Sequence, residues 1–288
     1  MRELDVLCIG NLNLDLTFFL EDFPREHQKI ICEKAHISLG GAAGNTACFL
    51  SSLGLKTGFL GCVGKDLVGE AQIRELESYG VETSHISQRG ISGIAVILLG
   101  KDKRMVKYPG ANLEKELDFE YIRKARHVHL SSNEREDIEK ILKFCKKRGI
   151  QVSYDPGENR FLDLMSSSDY LFLNEDELGF LVGEKELEDL RDLNPKILVV
   201  TKNEGGCIVK TKSKKIEVES FGVKSMDTTG AGDAFDAGFI YGLVKKKSLK
   251  ECGILGVACA SLTVQKKGAR SGITDERGLL RFLRLRGG

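Results

Sequence analysis

The chain has 288 residues, 41% of them apolar and 30% charged, with 43 lysines and arginines against 42 aspartates and glutamates. Its length suits one large α/β domain or two small ones, and a formal net charge of +1 excludes a global electrostatic pull toward nucleic acid or an anionic membrane. No apolar run approaches the ~18 residues of a membrane-spanning helix, and the first residues enter an apolar stretch directly, so a cytoplasmic protein is expected.

Leu4 to Ile9 is a short run of branched residues ending at Gly10 and reads as a buried strand. Asn11, Asn13 and Asp15 then alternate with Leu12, Leu14 and Leu16, which puts the three polar side chains on one face of an extended chain. A polar face at the carboxyl end of a buried strand is where open α/β sheets bind ligands. Two β-like stretches, at about 16–39 and 92–108, do not fit the alternation around them. They predict a small sheet standing off the main body, a candidate lid. Between them Gly40-Gly41-Ala42-Ala43-Gly44-Asn45 opens a helix that ends near Gly54. Its small residues let backbone approach a ligand, and Asn45 offers a donor and an acceptor.

Strand Thr57–Val63 and helix Glu70–Tyr79 follow. A regular beat comes after the second lid stretch: helix Phe119–Lys124, strand His127–Leu130, helix Glu136–Arg148, strand Ile150–Tyr154, strand Tyr170–Leu173, a helix start at Asn174, and strand Ile197–Thr201. Such alternation implies a mostly parallel sheet covered on both faces, a three-layer α/β/α arrangement. Without repeats or a linker, residues 1–288 are expected to form a single domain. His127 and His129 share a strand face with no carboxylate beside them in sequence, and the eight cysteines form no Cys-x-x-Cys pair. Structural histidines and buried reduced thiols are the readings.

The stretch from Asp227 to Phe239 is the most informative. Asp227-Thr228-Thr229 is a hydroxyl-rich turn, Gly230-Ala231-Gly232 follows, and Phe235, Phe239 and Leu243 at four-residue spacing predict a helix. The first N–H groups of a helix lack internal partners, and with the helix dipole they form an anion site. Asp233 falls in the first turn, at the rim of that site. A carboxylate beside an anion cradle suits transfer of a phosphoryl group to a hydroxyl.

The pair Gly40-Gly41-x-x-x-Asn45 and Asp227-Thr228-Thr229-Gly230-Ala231-Gly232-Asp233 resembles the two signatures of the ribokinase-like (PfkB) carbohydrate kinases, along essentially the whole chain. The resemblance implies a ribokinase-like α/β domain with a mostly parallel sheet and a small β-sheet lid that often mediates homodimer contacts. It also implies a catalytic base at Asp233 and an anion hole from the amides of Gly230, Ala231 and Gly232. Asn174 and Glu177 match a pair that organises magnesium (Mg2+) and the phosphates, Glu177 indirectly; Gly268 joins the nucleotide side. Thr201 to Gly206 is similar to the family's nucleotide loop, with Asn203 in place of its middle glycine, a residue that tolerates left-handed backbone. Asn13, Asp15, Gly41 and Asn45 match acceptor-binding positions, and Asp227 and Thr229 match a monovalent cation site, taken as potassium (K+).

Two departures bear on the acceptor. Ala42 stands where ribokinases proper carry lysine, and Asp155-Pro-Gly-Glu-Asn-Arg160 resembles a fructokinase and ketodeoxygluconate kinase stretch at altered spacing. The lid stretches carry Arg25, Lys29, Lys34, Lys103, Arg104 and Lys107, either as solvated surface or to hold a phosphate already on the acceptor. The expectation is an ATP-dependent kinase of a free sugar or nucleoside, acting on small molecules and not on nucleic acid or membrane. A sugar phosphate is the alternative acceptor, ADP the alternative donor, and a non-catalytic binding protein the alternative class. A dinucleotide oxidoreductase would want Gly-x-Gly-x-x-Gly after the first strand, and Gly10-Asn11-Leu12-Asn13 does not supply it.

Overall fold

Val6, Leu7, Cys8 and Ile9 are fully buried in β1 (Leu4–Gly10), as a strand covered on both faces requires. The structure, a computed structural model, describes residues 2–157, 160–182 and 195–287. After β1 the chain lays down β2 (Asn13–Phe19) and β3 (Lys34–Gly40). It returns through α1 (Ala42–Ser52), β4 (Thr57–Val63), α2 (Leu67–Ser78) and β5 (Ile86–Gln88). It leaves again for β6 (Gly93–Leu99) and β7 (Lys103–Tyr108). The alternation then runs α3 (Phe119–Arg123), β8 (Ala125–Ser131), α4 (Arg135–Arg148), β9 (Gln151–Asp155), α5 (Leu162–Met165), β10 (Tyr170–Asn174) and α6 (Glu175–Val182). β11 (Ile197–Lys202), β12 (Gly206–Thr211) and β13 (Lys215–Val218) precede α7 (Ala231–Val244), α8 (Leu249–Val264) and α9 (Glu276–Leu285).

Among the described residues the main sheet has nine strands in the order β13-β12-β11-β10-β9-β8-β1-β4-β5. All neighbours are parallel except at the β11–β12 and β12–β13 edge. Alternate side chains of each strand feed opposite cores. Val6, Cys8 and Phe172 pack with Phe49, Phe235 and Phe239 on one face, while Leu7, Ile9 and Leu171 pack with Ile138 and Ile141 on the other. This is the three-layer arrangement that the alternation implies. β1 has β4 on one side and β8 on the other, so the chain reverses direction across the sheet at β1, the kind of switch point where open α/β sheets bind ligands.

The second sheet has four strands in the order β3-β2-β6-β7. It begins earlier than the alternation suggested, for Asn13 and Asp15 belong to β2 itself. Register puts Asp15 opposite Ser38 and Ala95, and Ala95 opposite Lys107, in one row and so on one face. The other face carries Leu14, Leu16 and Phe18 beside Ile37, Val96 and Val106.

α7 and α8 pack so closely that no side chain fits at Gly238. A Cβ there would lie 2.5 Å from the Leu255 carbonyl oxygen and 2.9 Å from Cys259 Sγ. Gly238→Val forces the two helices apart. It should lower the unfolding free energy in urea by about 1–3 kcal/mol, the usual scale for overpacking; an unchanged midpoint would show that the packing is looser than described.

Candidate active site

The turn before α7 is held by one carboxylate. Asp227 Oδ1 accepts from the Thr229 amide at 2.9 Å and the Thr229 hydroxyl at 2.7 Å, and Oδ2 accepts from the Gly268 amide at 2.9 Å. Burial pushes the Asp227 carboxyl up, but these hydrogen bonds outweigh it and hold the group below its ordinary range. Gly230 then caps α7 with φ 76°, and a Cβ there would meet the Ala269 backbone at 2.7 Å. Only glycine is free of strain in that place. The Ala231 amide is engaged within the turn, donating to the Thr228 carbonyl at 3.1 Å. The N–H groups of Gly232 and Asp233 fall in the first helical turn, where no i−4 acceptor exists.

α1 brings its own N-terminus to the same place. It starts at Gly41, whose φ of 106° and close approach to the Asn11 carbonyl exclude a side chain. One turn on, Asn45 donates from Nδ2 to Asp233 Oδ2 at 2.7 Å, and the Thr46 hydroxyl donates to the Asp233 carbonyl at 3.3 Å. Asn45 Oδ1 accepts from Arg270 Nε at 2.8 Å, and Arg270 Nη1 pairs with Glu75 of α2. Burial raises Asp233 to about 6, with Asp15 adding to the rise and the Asn45 hydrogen bond and Arg270 opposing it. Burial likewise raises Asp15 to about 6 against the attraction of Arg270, Lys107 and Lys103. Asn13 lies next to it, its side-chain oxygen accepting from Asn112 at 3.0 Å and its carbonyl from Gln72 at 2.6 Å. Of the positions the resemblance assigns to the acceptor, Asn45 and Asp15 are thus brought to Asp233, with Asn13 and Gly41 beside them in the chain.

The nucleotide-side positions lie at the ends of β10 and β11. Asn174 and Glu177 bond reciprocally, each side chain accepting from the other's amide at 2.8 and 3.0 Å, a box that starts α6. Asn174 is in register with Thr201. Asn203 differs from the left-handed expectation. It opens a 3-10 turn, Asn203–Gly205, and the positive φ of 89° falls on Gly206, the last glycine of the stretch, where β12 begins. Gly268 stands beside the turn before α7, tethered to Asp227.

Carboxylates crowd the space between. Burial, then Glu177 and Asp233, raise Asp155 to about 8. Burial raises Glu177, with Asp176 adding and Arg160 opposing. Burial, then Asp155, Asp233 and Glu177, push Asp236 far above its ordinary value. His127 and His129 both meet the Ser153 hydroxyl, at 2.7 and 3.0 Å, and burial lowers them to about 4 and about 3. The sequence shows no carboxylate beside them, yet Asp236 Oδ2 lies 3.9 Å from His129 Nε2. It arrives on a helix remote in sequence. Among the described residues no three His, Cys, Asp or Glu side chains form a metal cage. Sequence reasoning also missed Arg270, Glu75, Gln72 and Asn112, which touch the predicted residues only through tertiary structure.

A helix N-terminus beside a half-buried carboxylate, at the switch point of a parallel sheet, is the arrangement of an α/β protein that handles phosphate. The chain belongs to the pfkB family of carbohydrate kinases, whose profile matches residues 3–276. It is 31% identical over 282 residues to the ATP-dependent ribose-1-phosphate kinase of Halopiger xanaduensis, covering 94% of this chain and 95% of that one. It is 31% identical over 285 residues to the nucleoside kinase of Methanocaldococcus jannaschii, covering 93% of each. The solved structure of Arabidopsis thaliana ribokinase complexed with ribose and ATP is 28% identical, covers 98% of this chain and 99% of that one, and aligns with a TM-score of 0.88. The protein is therefore a carbohydrate or nucleoside kinase with a ribokinase-like fold.

The Asp227 tether gives a stability prediction. A carboxyl held below its ordinary range stabilises the fold above its unfolded pKa of about 4, and that contribution disappears as the pH falls through the lower folded value. Asp227→Asn should cost about 1–2 kcal/mol at pH 7, and the gap between the two thermal unfolding curves should close toward pH 3. A gap independent of pH would contradict the assignment.

Proposed function

We propose that this kinase moves the terminal phosphoryl group of ATP to a hydroxyl of a ribose-bearing acceptor, a pentose or a nucleoside, with Asp233 as the base. The observation that carries this is the Asn45–Asp233 hydrogen bond of 2.7 Å. It occupies Oδ2 and leaves Oδ1 for the acceptor hydroxyl. As the acceptor oxygen bonds to the γ-phosphorus, its proton passes to Asp233 Oδ1, and the bond to the β-phosphate oxygen breaks with its electron pair leaving on ADP. The transition state is loose, so proton removal is late and a carboxylate is a strong enough base. Of the amides expected in the anion hole, that of Ala231 is engaged in the turn, which leaves those of Gly230 and Gly232, with Asp233 next to them, for the charge that develops on the phosphoryl oxygens.

Magnesium fits here as a metal brought by the nucleotide, because Mg2+ is held by one or two carboxylates and substrate phosphates rather than by a full protein cage. Asp155 and Glu177, both raised by burial and by neighbouring acids, put carboxylate oxygens there. Asn174 and Glu177 would hold it through water, and when bound it neutralises phosphate charge. Thr201, Asn203, Gly206 and Gly268 border the nucleotide in this reading. Asp227 and Thr229 would supply oxygens to K+, since carboxylate and hydroxyl oxygens keep lone pairs beyond those used in the turn.

The chain acts as one kinase domain, with β2, β3, β6 and β7 as a lid over the acceptor. The lid's outward face is apolar, and Ile37 and Val106 are each 68% exposed, which supports a homodimer through that face. Eight free cysteines, seven of them buried, suit work in the reducing cytoplasm. A ribose phosphate is the second reading of the acceptor. Lys107 stands in the Asp15 row and attracts Asp15, and the Halopiger relative is named for ribose 1-phosphate.

Asp233→Asn should lower kcat by about 10²–10⁴-fold with ATP affinity kept; retention of more than about a tenth would remove the base assignment. In the wild type kcat should fall as pH drops below about 6, since the base must be ionised. Ribose, nucleosides and ribose 1-phosphate, each assayed with ATP and with ADP by nucleotide consumption, separate the acceptors and donors. Lys107→Met should weaken kcat/KM only for the phosphorylated acceptor if the second reading holds. For the dimer, Ile37→Asp with Val106→Asp should give a monomer by light scattering, and an unchanged mass would exclude this face.

A further inference from the structure

The geometry points to Arg270 as the positioning residue that fixes which way Asn45 faces and so aims the Asp233 carboxylate. This rests on the reading of Asp233 as the base. A side-chain amide has two ends, and either could meet a carboxylate by rotation. A guanidinium only donates. With Arg270 Nε 2.8 Å from Asn45 Oδ1, the amide must present Nδ2 to Asp233, at 2.7 Å. Asn45 and Arg270 are only 5% and 7% exposed, so water cannot replace either contact.

A role in holding the fold alone explains Arg270 poorly. Its Nη2 is buried without a hydrogen-bond partner, and burying an incompletely paired charge is costly. The charge has a use in the site. Asp15 from β2 raises the Asp233 carboxyl, and Asp155 at the end of β9 and Asp236 on the same helix feel its charge in turn. Arg270 is the cation that opposes Asp15 at Asp233. Glu75 neutralises part of that cation through its pair with Nη1, so the strength of the field at Asp233 is set by the Glu75–Arg270 balance.

Two substitutions should therefore act in opposite directions. Arg270→Met removes the donor and the charge; it should lower kcat about ten- to a hundredfold, the scale of one charge-assisted hydrogen bond, with a smaller change in acceptor KM. Its acid limb in the kcat–pH profile should move up by about 0.5–1 unit. Glu75→Gln leaves Arg270 in place with less neutralisation, so its limb should move down. Arg270→Lys keeps the cation without the planar fork, so its limb should return toward the wild type while kcat stays low. Packing damage cannot move the limbs in opposite directions. Limbs that move together, or stay fixed while kcat falls, overturn the proposal. Should Arg270→Met fail to fold, Glu75→Gln alone still decides through the sign of its shift. If the wild type phosphorylates no acceptor, the kinase-base reading fails. The relay is then read separately from the carboxyl ¹³C titration of Asp233, assigned with Asp233→Asn; the same opposite shifts support it, and their absence overturns it.

Discussion

The hydrogen bond from Asn45 Nδ2 to Asp233 Oδ2, 2.7 Å long, joins the starts of two helices that come from opposite ends of the chain. α1 follows the small sheet and α7 follows the Asp227 turn, so this contact fixes how the two helix starts meet. Each helix is anchored by a backbone constraint. Gly41 lets α1 start against the Asn11 carbonyl, and Gly230 lets α7 start against Ala269. With both starts pinned, the positive ends of two helix dipoles converge on one carboxylate. Burial and neighbouring acids raise that carboxylate to about 6 while Asn45 and Arg270 keep it from rising further.

The same balance explains the crowding of acids around it. Asp155 and Asp236 have carboxyls raised by burial and by each other's neighbours, a cluster that would repel a nucleotide if all its members were ionised. Set against that cluster are backbone amides, the Asn45 side-chain amide and the buried Arg270 guanidinium. The protein's share of the electrostatics is therefore fixed before nucleotide arrives, which is the condition under which oriented dipoles are most effective. The tight α7–α8 packing at Gly238 and the Asp227–Gly268 tether hold that preorganisation from behind.

Much of this was legible in the sequence where local pattern decides the outcome. Buried parallel strands such as Thr57–Val63 and Tyr170–Asn174 are continuous apolar runs, and Phe235, Phe239 and Leu243 at four-residue spacing announce α7. Other parts were not. Asn13 and Asp15 looked like the end of the first strand, but the chain turns at Gly10 and crosses into the second sheet, a decision made by tertiary pairing with β3 and β6. α8 buries residues all around its axis, from Cys252 to Thr263, so it lacks the one-sided stripe that signals a helix. Asn203 looked left-handed by analogy with glycine, whereas Gly206 takes that conformation. The partners of Asn45 and His129, Arg270 and Asp236, lie far along the chain and join them only after folding.

The central claim is that Asp233 acts as the base because Asn45 orients it, and a double-mutant cycle on the single-turnover rate tests it most directly. Asn45→Ala should slow phosphoryl transfer when Asp233 is present and have little further effect in an Asp233→Asn background, since no base is then left for Asn45 to orient. Two effects that simply add would contradict the account.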